Sequence, residues 1–205
     1  CVYSLKIQAL KCKLNNFSYD SVRSLLLNCY IPWKDKDINE NLIREGNRLH
    51  CVCSFEEKPG EILDIWNATL SKIQEDEREL TFYKILKDDI NRICNSKTFS
   101  QIRDGWFTFK NHFLKEDEFT IEANNILSRC IEALEALISI EKDFIIPLEL
   151  NVTSPFDFFI NELNTKSYRP QEKIKGVSIF DYKLVACSAY KYHIVMNCSQ
   201  SNLSI

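Results

Sequence analysis

Glycine and proline are scarce, with four and five residues in a chain of 205. Few positions therefore force a turn or a break. The same scarcity excludes some chemistry, since there is no glycine-rich phosphate loop and no Gly-x-Ser-x-Gly nucleophile elbow. Histidine is scarcer still: His50, His112 and His193 are the full set, and no His-Glu-x-x-His helix exists. Charge of one sign is also lacking. The net charge is −3, with Lys and Arg scattered among acids, which gives no footprint for nucleic acid. No apolar run approaches the roughly 18–20 residues needed to cross a bilayer. The best, Phe-Ile-Ile-Pro-Leu at 144–148, is short and contains Pro147. Nothing at the N-terminus resembles a signal peptide, and a soluble chain is expected.

Cysteine is what the chain has in plenty: Cys1, Cys12, Cys29, Cys51, Cys53, Cys94, Cys130, Cys187 and Cys198. Metal spacing and redox motifs are unclear, so the nine read as candidates for disulfides formed in an oxidising compartment. Nine is odd, which leaves at least one free or paired with another chain. A second signal agrees. Asn16, Asn67, Asn151, Asn197 and Asn202 each begin an Asn-x-Ser/Thr glycosylation triplet. With 17 Asn, and 24 Ser plus Thr, chance gives about two such triplets rather than five. Together these point to a secreted or surface-associated glycoprotein. Cys198 inside the first tail triplet sets a tether against a flexible glycan acceptor, so Asn197 is expected to be occupied less completely than Asn202.

Apolar spacing is mostly helical. From Asp20, Val22, Leu25, Leu26 and Cys29 fall on one face, and a weaker helix is expected over Ile38–Leu49, where Gly46 costs some stability. After Pro59-Gly60 a long helical stretch is expected to Cys94, interrupted by the charged run at 74–79. Thr98 and Gln101 have capping-box spacing ahead of the stripe Phe99, Ile102, Trp106, Phe109 and Phe113. Ile126, Cys130, Leu134, Leu137 and Ile138 share a face of a helix over about 120–144. Ser154 and Pro155 open a short one carrying Phe156, Phe159, Ile160 and Leu163. Residues 2–9 fit strand or helix equally. Residues 178–197 have strand-like composition but run too long without a turn, which favours a helix. The expectation is a single mainly α domain over 1–205, a disulfide-stapled helical bundle with room for a minor β element near the N-terminus or in 177–196. In architecture alone this resembles secreted helical ligands of the cytokine type.

Candidate chemistry is thin. His50-Cys51-Val52-Cys53 has ligand-like spacing, but zinc wants a second close pair and none follows, so no metal or cofactor is expected. The carboxylate runs 75–77, 88–89 and 116–118 read as solvated helix faces, and no enzyme is expected. One helix draws attention because it is apolar on two sides. Behind its core stripe lies a second row of Arg103, Phe107, Lys110 and Leu114, aromatic among basic, which is the composition of a protein-binding hot spot. Protein–protein recognition, as a soluble ligand or as part of a viral or parasite glycoprotein engaging host molecules, is therefore the leading expectation. The alternative is an extracellular carrier whose helices enclose a small apolar or lipid-like ligand.

Overall fold

The computed structural model describes residues 9–59, 61–72, 77–148, 152–166 and 194. The chain divides at Tyr168, and every element below belongs to the unit Cys1–Tyr168. Residues 9–14 are helical. Then come α1 (Tyr19–Leu26), α2 (Lys36–Arg48), β1 (Phe55–Lys58), β2 (Glu61–Leu63), α3 (Ile65–Leu70), α4 (Arg78–Cys94), α5 (Phe99–Phe113), α6 (Ile121–Ile140) and α7 (Pro155–Asn164). A 3₁₀ turn at Glu116–Glu118 precedes α6, and a π turn at Glu141–Ile145 extends it.

The central element is α5, which packs against α4, α6 and α7. Its stripe steps by three and four residues, so Phe99, Ile102, Trp106, Phe109 and Phe113 all turn inward and are buried. Thr98 caps it, accepting from the Gln101 N–H at 3.1 Å, while the Gln101 side chain accepts from the Lys97 N–H at 2.8 Å, one position before the cap. The expected pair of residues therefore forms a cap, displaced by one residue on its return bond. α7 buries the four residues expected of it, with Pro155 in its first turn. Ser154 does not cap the backbone, because its hydroxyl bonds the Asp157 carboxylate instead. α1 ends at Leu26, three residues short of Cys29, which is exposed. On α6 the buried face is Ala123, Leu127, Cys130, Ala133, Leu134 and Ile138, with Ile126 and Leu137 at its margin.

Two expectations need correcting. The stretch after Pro59-Gly60 does not begin as helix, because β2 pairs antiparallel with β1 through Phe55↔Leu63, Glu56↔Ile62 and Lys58↔Glu61, with an irregularity after Glu56. The β element thus lies at 55–63. Of the two places expected for it, 2–8 and all of 177–196 except 194 are outside the described residues. α3 then forms a separate short helix because Asp64 caps it, accepting from the N–H groups of Trp66 (3.1 Å) and Asn67 (3.3 Å).

The bundle is also not disulfide-stapled among the described residues. Cys12, Cys29, Cys51, Cys53, Cys94 and Cys130 are all free; Cys1, Cys187 and Cys198 lie outside the described residues. Four of the six are buried in the apolar cluster as small space-filling side chains, a common place for a free thiol. Disulfide staples therefore fail as the account of these six cysteines.

Candidate functional site

The second row of α5 does not form one continuous surface. Leu114 sits past the helix end in extended backbone, where Trp33 and Leu114 form an antiparallel bridge, closed by Lys34 N–H to Phe113 O (2.7 Å) and Lys115 N–H to Pro32 O (2.9 Å). That pairing folds Leu114 under the 31–34 segment, and it is buried. The other three residues lie at the edge. Arg103 pairs with Asp104 (3.2 Å) and Glu135 (3.3 Å). The hydrogen bonds it donates to those carboxylates, Glu135 first, push its already high pKa further up. Lys110 pairs with Glu116 at 2.9 Å and lies 5.4 Å from the centre of the Phe107 ring. Phe107 is 37% exposed, an isolated aromatic ringed by satisfied charges.

Three carboxylates are used by the fold, Asp89 and Glu141 buried and Asp64 half-buried. Asp64, besides capping α3, accepts from Tyr83 OH at 2.9 Å and pairs with Lys87 at 2.6 Å. Burial, and then the Asp64 charge, pushes the Tyr83 phenol up, so it acts as a neutral donor. Above it Trp66 stacks between Tyr19 (6.1 Å) and Tyr83 (5.5 Å) and donates from Nε1 to Phe17 O at 2.7 Å. Phe17 and Asn16 hold positive φ values of 55° and 47°, a strained pair that presents that carbonyl. Asp89 contradicts its expected solvated position: it points inward from α4, 2.6 Å from Nδ1 of the exposed His112. Glu141, in the π turn, is buried and accepts from the Phe99 N–H (2.9 Å) and from the Ser100 N–H and hydroxyl (both 3.2 Å). It caps α5 from forty residues away, beyond the reach of any sequence pattern.

The remaining candidates are dispersed. His50 and Cys53 are exposed while Cys51 turns inward to Thr69 Oγ1 at 2.9 Å. No group of three or more His, Cys, Asp or Glu converges as metal ligands among the described residues. Burial raises the Cys51 thiol, against the lowering effect of Thr69. Burial, then Cys94, pushes Cys12 up to about 12, and burial does the same for Cys94, so both are unreactive neutral thiols near pH 7. Asn16 and Asn67 are exposed; Asn151, Asn197, Asn202 and His193 lie outside the described residues. An apolar cavity of about 30 Å³ lies between α4, α5, α6 and α7, with Trp106, Phe109, Cys130 and Phe159 among its walls. No helix of the described residues is long and apolar enough to cross a membrane.

Where α6 ends, the surface turns apolar. Phe144, Ile146 and Leu148 are 58%, 61% and 64% exposed, and Ile140 and Phe158 are exposed beside them. The Phe158 ring lies 5.9 Å from that of Phe99, the residue whose N–H Glu141 holds, which places α7 next to the root of this run. The run keeps helical turns, with Ile146 N–H to Glu141 O (2.9 Å) and Leu148 N–H to Phe144 O (3.1 Å). It is the Phe-Ile-Ile-Pro-Leu segment, whose apolar character is plain in the sequence. Its outward direction is not.

Comparison with known proteins places the chain. The family model described as "Treponema TP0900 fourth helical domain" matches residues 6–169, and the chain belongs to that family. A protein of Treponema pallidum (strain Nichols), named as an uncharacterized protein, is 22% identical over 213 residues. That alignment covers 90% of this chain and 26% of the relative, so the chain spans about a quarter of that protein's length. No solved structure matches.

Proposed function

We propose that this helical domain works by protein–protein recognition and not by catalysis, as one module of a longer polypeptide built from several helical domains. The observation that carries the proposal is the exposed apolar run at 144–148, held in helical turns at the end of α6. Large side chains displayed together on ordered backbone mark contact surfaces, because a monomer gains nothing by leaving them wet. The modular part rests on the family description, which counts helical domains within a protein, and on the quarter of the Treponema pallidum relative that this chain spans.

Two other readings have less support. Catalysis draws none from Asp64, Asp89 and Glu141, which already hold helix starts, a phenol, a lysine and an imidazole. A lipid-like cargo wants a pocket of roughly 300–1,000 Å³, against the cavity of about 30 Å³. Free thiols remove the staple argument for an extracellular compartment, so the proposal concerns contact with a protein and not where it is made. The test is proximity labelling in the native host with the label fused to the full polypeptide, repeated with Ile146→Asp. Protein neighbours that depend on Ile146 support recognition; an unchanged neighbour set refutes it.

A further inference from the structure

We propose that His112 is a phosphoryl acceptor: its Nε2 takes the phosphoryl group of an acyl phosphate, Asp89 holds the ring, and Arg92 receives the transferred charge. The site lies in the last turn of α5, at the other end of that helix from the residues that Glu141 holds. It stands or falls apart from the recognition reading, which rests on the run at 144–148.

The imidazole is held and displayed at once. Its Nδ1 lies 2.6 Å from Oδ2 of Asp89, whose side chain is 4% exposed, while the His112 side chain is 48% exposed. A carboxylate accepts, so Nδ1 carries the proton and the lone pair of the neutral ring sits on Nε2. Among the described residues nothing hydrogen-bonds Nε2, and no hydroxyl or thiol stands there for it to deprotonate. A ring fixed in one tautomer with its second nitrogen outward is prepared as a nucleophile. His50 supplies the contrast: it is exposed too, but its ring has no hydrogen bond or ion pair among the described residues.

The cation beside it suits a phosphoryl group. On α4, Arg92 follows Asp89 at the three-residue spacing that makes two helical side chains neighbours. It is exposed, and its guanidinium has no partner among the described residues. A free guanidinium forks onto phosphoryl oxygens through two parallel N–H bonds. The chain has no glycine-rich phosphate loop, so the donor has to carry its own activation, as the mixed anhydride of an acyl phosphate does. The Nε2 lone pair attacks phosphorus and an N–P bond forms. The P–O bond to the acyl group breaks, and its electron pair leaves on the carboxylate. No proton moves, since Nδ1 keeps its own. The ring gains a positive charge, which the Asp89 carboxylate stabilises from the Nδ1 side.

The experiment incubates the full polypeptide with acetyl phosphate near neutral pH and maps phosphohistidine by mass spectrometry under conditions that keep N–P bonds intact. His112 and His50 are compared in the same molecule, so the central result needs no variant. The expected result is label on His112 accumulating many-fold faster than on His50, with the two rates drawing level in urea. Asp89→Asn and Arg92→Gln should each lower the His112 rate several-fold and leave the His50 rate alone, with circular dichroism checking that both variants are folded. That ratio of rates separates a positioning role for Asp89 from a merely structural one, because lost stability in a folded variant does not move it. Equal rates at the two histidines of the folded protein, or no label at either, overturns the proposal. So does label on Asp89 as an alkali-labile acyl phosphate, or a ratio unchanged in both variants.

Discussion

Replacing Gly46 with alanine should destabilise this protein, although the same change in an exposed helix normally helps by about 1 kcal/mol. Gly46 lies on the buried side of α2, and a Cβ there would come within 2.3 Å of Trp66 Cη2 and 2.4 Å of Cζ3. Both distances are far inside contact, so something must move. Trp66 has nowhere to go: it is stacked between Tyr19 and Tyr83 and its N–H is bonded to Phe17 O at 2.7 Å. Overpacking a core usually costs about 1–3 kcal/mol. Pulling Trp66 off its carbonyl partner adds about 1–3 kcal/mol for buried polar groups left unmet. Set against the helix gain, the net expectation is a loss of about 2–4 kcal/mol. Denaturant unfolding followed by tryptophan fluorescence measures this, with Gly105→Ala as the contrast. There the nearest atom is Ile93 Cγ1 at 3.0 Å, on a side chain that can shift, so the change should stay within about 1 kcal/mol of the parent. Combining Gly46→Ala with Trp66→Phe, which makes room, should recover part of the loss. A Gly46→Ala protein as stable as the parent, with an unchanged near-ultraviolet spectrum, would refute the wedge.

Glu141→Ala should lower stability by about 2–4 kcal/mol, since charge-assisted bonds to two helix-start N–H groups and a hydroxyl are lost in a buried site, and Glu141→Gln by less; equal unfolding midpoints would refute the cap. His112→Ala should cost about 2 kcal/mol by leaving the Asp89 carboxylate buried without its imidazole, and adding Asp89→Ala should return much of it; simple additivity in the double-mutant cycle would exclude the coupling. Native protein should take up alkylating reagent at Cys29 and Cys53 and not at Cys12, Cys51, Cys94 or Cys130 until unfolded, as peptide mapping can show. Because Cys94 is raised from 9.0 to about 12 by burial, the unfolded thiol ionises first. Its contribution is intact below pH 9 and is lost as pH rises toward 12, at about 1.4 kcal/mol per pH unit; Cys94→Ala should flatten the stability curve by that slope over this window, and parallel curves would refute it.

What the sequence revealed and what it hid follow one division. The faces of α5 and α7 were legible because each is written in spacing: Phe99 to Phe113 and Phe156 to Leu163 carry their periods within one or two dozen residues. The hairpin at Phe55–Leu63 was not legible, since six paired residues, two of them Glu, give no alternation to read. The cysteines misled because a count measures potential bonds, and pairing is a matter of position; Cys130 on a cavity wall and Cys51 beside Thr69 are occupied otherwise. Asp89 and Leu114 were placed on the wrong side for a shared reason. Each lies in a locally polar or amphipathic pattern, and a partner distant in sequence, His112 for one and Trp33 for the other, decides its direction.

The run at 144–148 extends that division to the proposed surface. Measured against bilayer thickness, five apolar residues ending in Pro-Leu say nothing. Their meaning depends on where they point, and that is fixed by a carboxylate at 141 bonded to backbone N–H groups at 99 and 100. Remove that anchor and the end of α6 keeps its backbone turns but loses its tie to the start of α5, so Phe144, Ile146 and Leu148 would be free to shift against the bundle. The protein neighbours that depend on Ile146 should therefore also be lost in Glu141→Ala even though the apolar residues themselves are untouched, joining a stability contact and a recognition surface through one side chain.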